Sequence, residues 1–197
     1  MLDVRTVPIS VNDFLVTATY DCYLDRRAST VIEPEMTRAT ITSWKTLPQP
    51  EQREPLGFAA EFSDAETERL VCGLIPRDME DKWFICLHQG WLLFHRSWTG
   101  ACIYGLRLEA VRGGARVADS WVSRDPAQYK GMDVEYDRKL VRFLIEAFLL
   151  HRSAIFPMPA GVESSPPGVY QHSVVGRAYP ESPAEPAPGI AAQSQAK

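Results

Sequence analysis

An α+β fold built on an antiparallel four-stranded meander is what this sequence predicts. Three observations carry that prediction. Residues Lys82–Ser123 contain apolar runs separated by short glycine-bearing turns. Residues Val134–His151 repeat apolar side chains at helical spacing. Strands follow one another directly instead of alternating with helices, which favours hairpin neighbours over a parallel sheet.

The elements follow in chain order. Phe14, Val16, Ala18, Tyr20 and Cys22 share one side of a period-two pattern, and Thr40–Thr46 is a second extended candidate. These are the extra N-terminal strands of the predicted fold. Thr46–Gly57 is polar and proline-rich and reads as a loop. Ser63 and Glu66 have capping-box spacing, so a helix is expected over residues 64–73, with Gly73 and Pro76 marking its end. Strands are expected at Lys82–His88, Trp91–Trp98, Ala101–Glu109 and Ala115–Ser123. Gln89-Gly90, Thr99-Gly100 and Gly113-Gly114 supply the reversals. After a polar loop (Ser123–Gly131), Asp133 is placed to cap a helix over Val134–His151. Tyr136, Leu140, Phe143, Leu144 and Ala147 lie on one face of that helix, while Arg138, Lys139, Arg142 and Glu146 lie toward the other.

Composition divides the chain. Residues 1–156 read as one α+β domain. Residues 157–180 read as an extended arm packed on it, because Gly168–Pro180 keeps apolar and aromatic side chains. Residues 181–197 are poor in large apolar groups and rich in proline and alanine, which cannot offset ordering entropy, so a disordered tail is expected.

The formal net charge is −4, and no cluster of basic residues occurs. That balance makes duplex nucleic acid an unfavourable partner. No apolar run reaches membrane-spanning length and no secretory leader is recognisable, so a cytoplasmic protein with no membrane association is expected. Four cysteines without CxxC spacing then read as reduced thiols. GxxxxGK[ST] and GxGxxG are both absent, and no cofactor is expected.

Two tight hairpins allow the sheet faces to be assigned. One face receives Phe84, Cys86, His88, Trp91, Leu93, His95, Cys102, Tyr104, Leu106 and Leu108, and is expected to lie under the long helix. The other receives Trp83, Phe94 and Trp98, alternating with Arg96 and Arg107. Such a face has two explanations. It is covered by the N-terminal segment or the arm, or it is a ligand platform on which indoles stack and guanidinium forks hold an anion.

The expected binding residues are Trp83, Arg96, Trp98 and Arg107, with Tyr170 and His172 closing over them from the arm. The expected function is a small ligand-binding domain for a planar anionic, nucleotide-like molecule. Two alternatives come from other classes. The same face serves a protein partner in an accessory or immunity-type module, since Trp and Arg anchor interfaces. Or the chain is a hydrolase or transferase centred on His95, with a carboxylate such as Asp81 as its partner. Cys86, His88, His95 and Cys102 share one face, but ligands spread over a pleated sheet do not converge on a tetrahedron, so no metal is expected. Leu93–Ser97 bears a five-residue likeness to the histidine strand of ADP-ribosyltransferases. Arg96 stands where those enzymes carry glycine and no Tyr-and-Glu completion follows, so no family is assigned.

Overall fold

Six antiparallel strands and three α-helices make up the described part of the chain. The computed structural model describes residues 38–159, 161, 168–177 and 179. The expected strand at Phe14–Cys22 and the expected tail at 181–197 lie outside the described residues.

The central meander comprises β3 (Trp83–His88), β4 (Trp91–Arg96), β5 (Cys102–Val111) and β6 (Gly114–Ser123). Two short strands, β1 (Arg53–Pro55) and β2 (Glu61–Ser63), each pair with β6, at opposite ends of its outer edge. The loop expected at Thr46–Gly57 therefore contributes a strand. Thr40–Thr46 is a hydrogen-bonded turn instead of a strand, closed by Ser43 N–H donating to Thr40 O at 2.8 Å. Helix α1 (Asp64–Cys72) begins at the capping box read from the sequence: the Glu66 carboxylate accepts from the Ser63 amide at 2.7 Å. That amide, the Ser63 hydroxyl and Arg152 hold the Glu66 pKa down at about 2. Helix α2 (Val134–Leu144) starts at Asp133, whose carboxylate accepts from the Glu135 and Tyr136 amides. The expected helix to His151 continues past Leu144 as a single π-helical segment, Ile145–Leu149, so α-geometry ends earlier than the periodicity implied. A third helix, α3 (Val169–Val175), occupies part of the stretch expected to be extended.

The first hairpin forms as read. Gln89 (φ 50°) and Gly90 (φ 80°) both adopt the left-handed conformation that a two-residue reversal needs, and His88 pairs with Trp91. The second does not. The reversal spans Ser97–Gly100, with Gly100 N–H donating to Arg96 O at 2.8 Å, and a register shift follows between Phe94 and His95. As a result Phe94 pairs with Tyr104 and Leu93 with Gly105. A one-residue slip exchanges sheet faces. Tyr104, Leu106 and Leu108 thus join Trp83, Ile85, Leu92 and Phe94, and Arg107 crosses to the opposite side.

That exchange also moves the core. Helix α2 packs through Leu140, Val141, Phe143 and Leu144 on the Trp83–Phe94–Tyr104 face, not on the Phe84–His95 face. With three more large apolar groups delivered by β5, this is the face with most area to bury. The other face carries smaller clusters, one of Ala39, Phe84 and Cys86 and one of Leu93, Cys102 and Trp121, with Ile41 against both. There the Trp121 ring lies across Gly105, so close that a Cβ at position 105 would sit 2.4 Å from it.

Candidate functional site

Trp83 anchors the site. Its indole is 2% exposed and stacks on Tyr104 at 5.8 Å between centroids. Its Nε1 donates to Val174 O in α3 at 2.9 Å. The Arg96 guanidinium lies over the same ring, 4.9 Å from the centroid, and donates to Val174 O (2.9 Å) and Ser173 O (3.1 Å). These carbonyls belong to the last turn of α3, where helical carbonyls lack intrahelical donors and a cation is favoured. The aromatic–guanidinium face is therefore covered by the arm, and the arm is held by the same two side chains expected to bind a ligand.

Covering is incomplete. A cavity of about 260 Å³ remains between the sheet, α2, α3 and the loop after β6. Trp83, Arg96, Ile103, Tyr104, Gln128, Tyr129, Lys130, Tyr136, Leu140, Tyr170 and Val174 line it. Tyr170, supplied by the arm as expected, donates its hydroxyl to that of Tyr136 at 2.9 Å. Arg96 and Lys130 have no carboxylate partner among the described residues. Burial pulls the Arg96 pKa below its ordinary value, and the surrounding tyrosines oppose that pull; a guanidinium remains charged in such a setting.

Beneath the cavity lies Asp137, fully buried on α2. Its Oδ1 accepts from the Tyr104 hydroxyl at 2.9 Å and from the Tyr129 hydroxyl, and its Oδ2 accepts from Arg124 at 3.0 Å. Arg124 also holds Glu54 (2.6 Å) and Gly131 O (2.9 Å), tying β1 and the 125–131 loop to the helix. Burial and then the charge of Asp137 raise the Tyr129 pKa, while burial, Tyr129 and Asp137 raise that of Tyr104, so both phenols keep their protons.

Of the six residues expected to bind, the structure brings Trp83, Arg96 and Tyr170 together. Trp98 stands apart, 61% exposed, with its Nε1 on Met79 O (2.7 Å) and the Lys82 ammonium over its ring. Arg107 lies exposed on the opposite face, over Trp91. His172 faces outward against Glu80 at 3.0 Å. Tyr104, Gln128, Tyr129 and Lys130 line the cavity without having been anticipated. The polar loop holding the last three was the available signal; Tyr104 was hidden by the register slip.

His95 and Asp81 do not meet at this cavity. His95 is buried on the far face, its Nδ1 2.9 Å from Gly100 O and its Nε2 without a partner. The carbonyl makes Nδ1 the donor. Burial lowers its pKa below 6.5. The unfolded chain then takes up the proton first, so this contribution to stability is complete above 6.5 and is lost as pH falls below it. Urea unfolding at stepped pH is expected to show that loss in the native sequence and a flatter profile in His95→Leu. Asp81 lies at the mouth of β3, where its carboxylate holds Arg177 (3.1 Å) and the Arg77 amide (2.8 Å). Burial raises Cys86 to about 11 and raises Cys102 further, so neither thiol is poised as a nucleophile. Among the described residues, no three His, Cys, Asp or Glu side chains are grouped to hold a metal.

A second cavity of about 280 Å³, on the other side of α3, is lined by Arg77, Asp81, Lys82, Phe148, His151 and Arg177 among others. Two of its three cations are paired, Arg177 with Asp81 and Lys82 with Glu80, while Arg77 has no carboxylate partner among the described residues. The Arg96 cavity is smaller, but its lining holds two cations and no carboxylate, whereas Asp81 lines this one. No helix among the described residues is long and apolar enough to cross a membrane.

No family model matches this chain, and no curated protein or solved structure is significantly similar to it. The site geometry is therefore the sole basis for a functional reading.

Proposed function

We propose that this domain binds a small planar anion in the cavity between Trp83, Arg96 and Tyr170. The observation that carries this reading is Arg96: a half-buried guanidinium, fixed over an indole and by two backbone carbonyls, beside an aromatic cavity and without a carboxylate partner among the described residues. Removing a cation from water is costly, and an anion entering the cavity offsets that cost. Aromatic walls select a flat ligand, and Lys130 at the exposed rim adds attraction on approach. A space of this size exceeds the roughly 150 Å³ known to admit benzene. A single ring therefore fits, and a nucleotide enters base-first with its remainder at the mouth.

Calorimetric titration with purine and pyrimidine nucleotides and with benzoate tests the reading. Arg96→Met keeps an apolar stem over Trp83 and removes the charge. It is expected to weaken binding by about 30-fold, the scale for truncating one partner of a desolvated ionic contact. Because Arg96 also holds α3, Lys130→Met provides the independent arm. It is expected to weaken binding a few-fold and to steepen no structural defect, since Lys130 is exposed and makes no described ion pair. No heat with any planar anion, or full binding by Arg96→Met, overturns the reading.

The second reading is a protein-interaction role, placed on the opposite face because α3 covers the face first expected to serve it. It is favoured by the half-buried indole of Trp91 and the exposed Arg107 that lies over it on that sheet surface.

A further inference from the structure

The second cavity, across α3 from the Arg96 cavity, joins apolar walls to a cationic rim. Leu74, Ile75, Phe148 and Val175 supply apolar surface. The space of about 280 Å³ is nearly twice the roughly 150 Å³ that admits benzene. Among the described residues of the lining, Asp81 is the one acid. Its carboxylate is already engaged, accepting from Arg177 at 3.1 Å and from the Arg77 amide at 2.8 Å. The side chains of Arg77 and His151 are both exposed, line the cavity and make no hydrogen bond or ion pair among the described residues.

Two backbone departures converge on the same wall. The π-helical segment Ile145–Leu149 contributes Ala147 and Phe148. A π turn holds one residue more than an α turn and re-aims the side chains it carries, and such turns are frequent at functional sites. His151 follows in the left-handed region (φ 54°), where the Arg152 amide closes the turn on Glu146 O at 2.8 Å. Glycine is the usual residue at such a helix end, since a Cβ is crowded there. This chain places an imidazole at that position instead, on the cavity wall. Backbone strain of this kind collects at ligand sites.

We propose that the second cavity binds an amphipathic oxyanion, a carboxylate or phosphate on a short apolar chain, with Arg77 and His151 at the head group and Ile75 and Phe148 along the chain. A guanidinium offers paired N–H donors to either head, and an imidazole N–H adds a further one. Burial of the chain against branched and aromatic side chains supplies the remaining affinity. The site is separate from the Arg96 cavity and does not depend on the reading given to it.

The test is calorimetric titration of the full chain with hexyl phosphate and hexanoate, with inorganic phosphate and 1-hexanol as the separated halves. At least one of the two amphipathic anions is expected to bind, about tenfold or more tightly than either half. The tighter of the two names the head group. Arg77→Gln, which removes an exposed charge, is expected to weaken that binding about tenfold. His151→Gly is expected to weaken it a few-fold while raising the melting temperature by about 2 °C, because glycine relieves the left-handed strain. Parent-level affinity in either variant overturns the proposal. So does failure of both amphipathic anions to bind, or binding of inorganic phosphate or 1-hexanol as tight as that of the joined molecule.

Discussion

Asp137→Ala is expected to cost about 3–5 kcal/mol of unfolding free energy, the range for removing one partner of a buried ion pair. The carboxylate is fully buried and accepts from Tyr104, Tyr129 and Arg124. In its absence the two phenols, 3.1 Å apart, keep only one hydrogen bond between them, so one hydroxyl hydrogen is orphaned. Arg124 retains Glu54 and Gly131 O but loses its buried counter-charge. For a chain of this size the loss corresponds to a melting temperature lower by about 10 °C. Tyr129→Phe removes one donor and leaves the ion pair, so its cost is expected to be smaller, about 1–2 kcal/mol. Denaturant unfolding of the two variants checks the order. An Asp137→Ala protein as stable as the parent would mean that the network contributes orientation and no stability.

Gly176→Ala is expected to detach the arm while sparing the sheet. Gly176 ends α3 at φ +81°, and a Cβ there would lie 1.8 Å from Glu80 O, a backbone atom that cannot rotate away. The left-handed conformation alone costs alanine about 1–2 kcal/mol, which raises the detached population about tenfold. The contact with Glu80 adds to that. Once α3 leaves, Trp83 Nε1 and both Arg96 donors lose their carbonyls, and Tyr170 leaves the cavity wall. Limited proteolysis read by mass spectrometry is expected to show faster cleavage within residues 168–179, because cleavage follows the open population when reclosing is fast. Anion binding is expected to be lost in the same variant, with only a small drop in the main unfolding transition. Unchanged cleavage would show that the arm tolerates alanine by shifting as a body.

Much of the fold was legible because it follows from local chemistry. The Ser63–Glu66 capping box, the Gln89-Gly90 reversal and the apolar face of α2 each depend on residues close in sequence. The misassigned sheet faces depend on one non-local detail. A reversal over Ser97–Gly100 and the following register shift moved β5 by one residue, and the helix-bearing face followed. Periodicity gives the same alternation in either register, so no pattern within β5 distinguishes them. The site was legible in part for the same reason. Trp83 and Arg96 were found because they pair across β3 and β4, joined by the turn that was read correctly. Tyr104 was assigned to the wrong side. Asp137, a charged position on the expected helix, is buried because Arg124 and two phenols reach it from outside that helix, which a helical wheel cannot reveal.

Arg96 and Trp83 grip the final turn of α3 with the groups that face the cavity, and this sets where the molecule can be trimmed. A fragment ending at Phe156, past the last residue of the α2 layer, would look complete by sheet and helix alone. It would lack Tyr170 and Val174, leave the indole Nε1 and guanidinium without their carbonyl acceptors, and turn a partly roofed chamber into an open shelf. The smallest unit that retains the chamber therefore extends at least through Gly176.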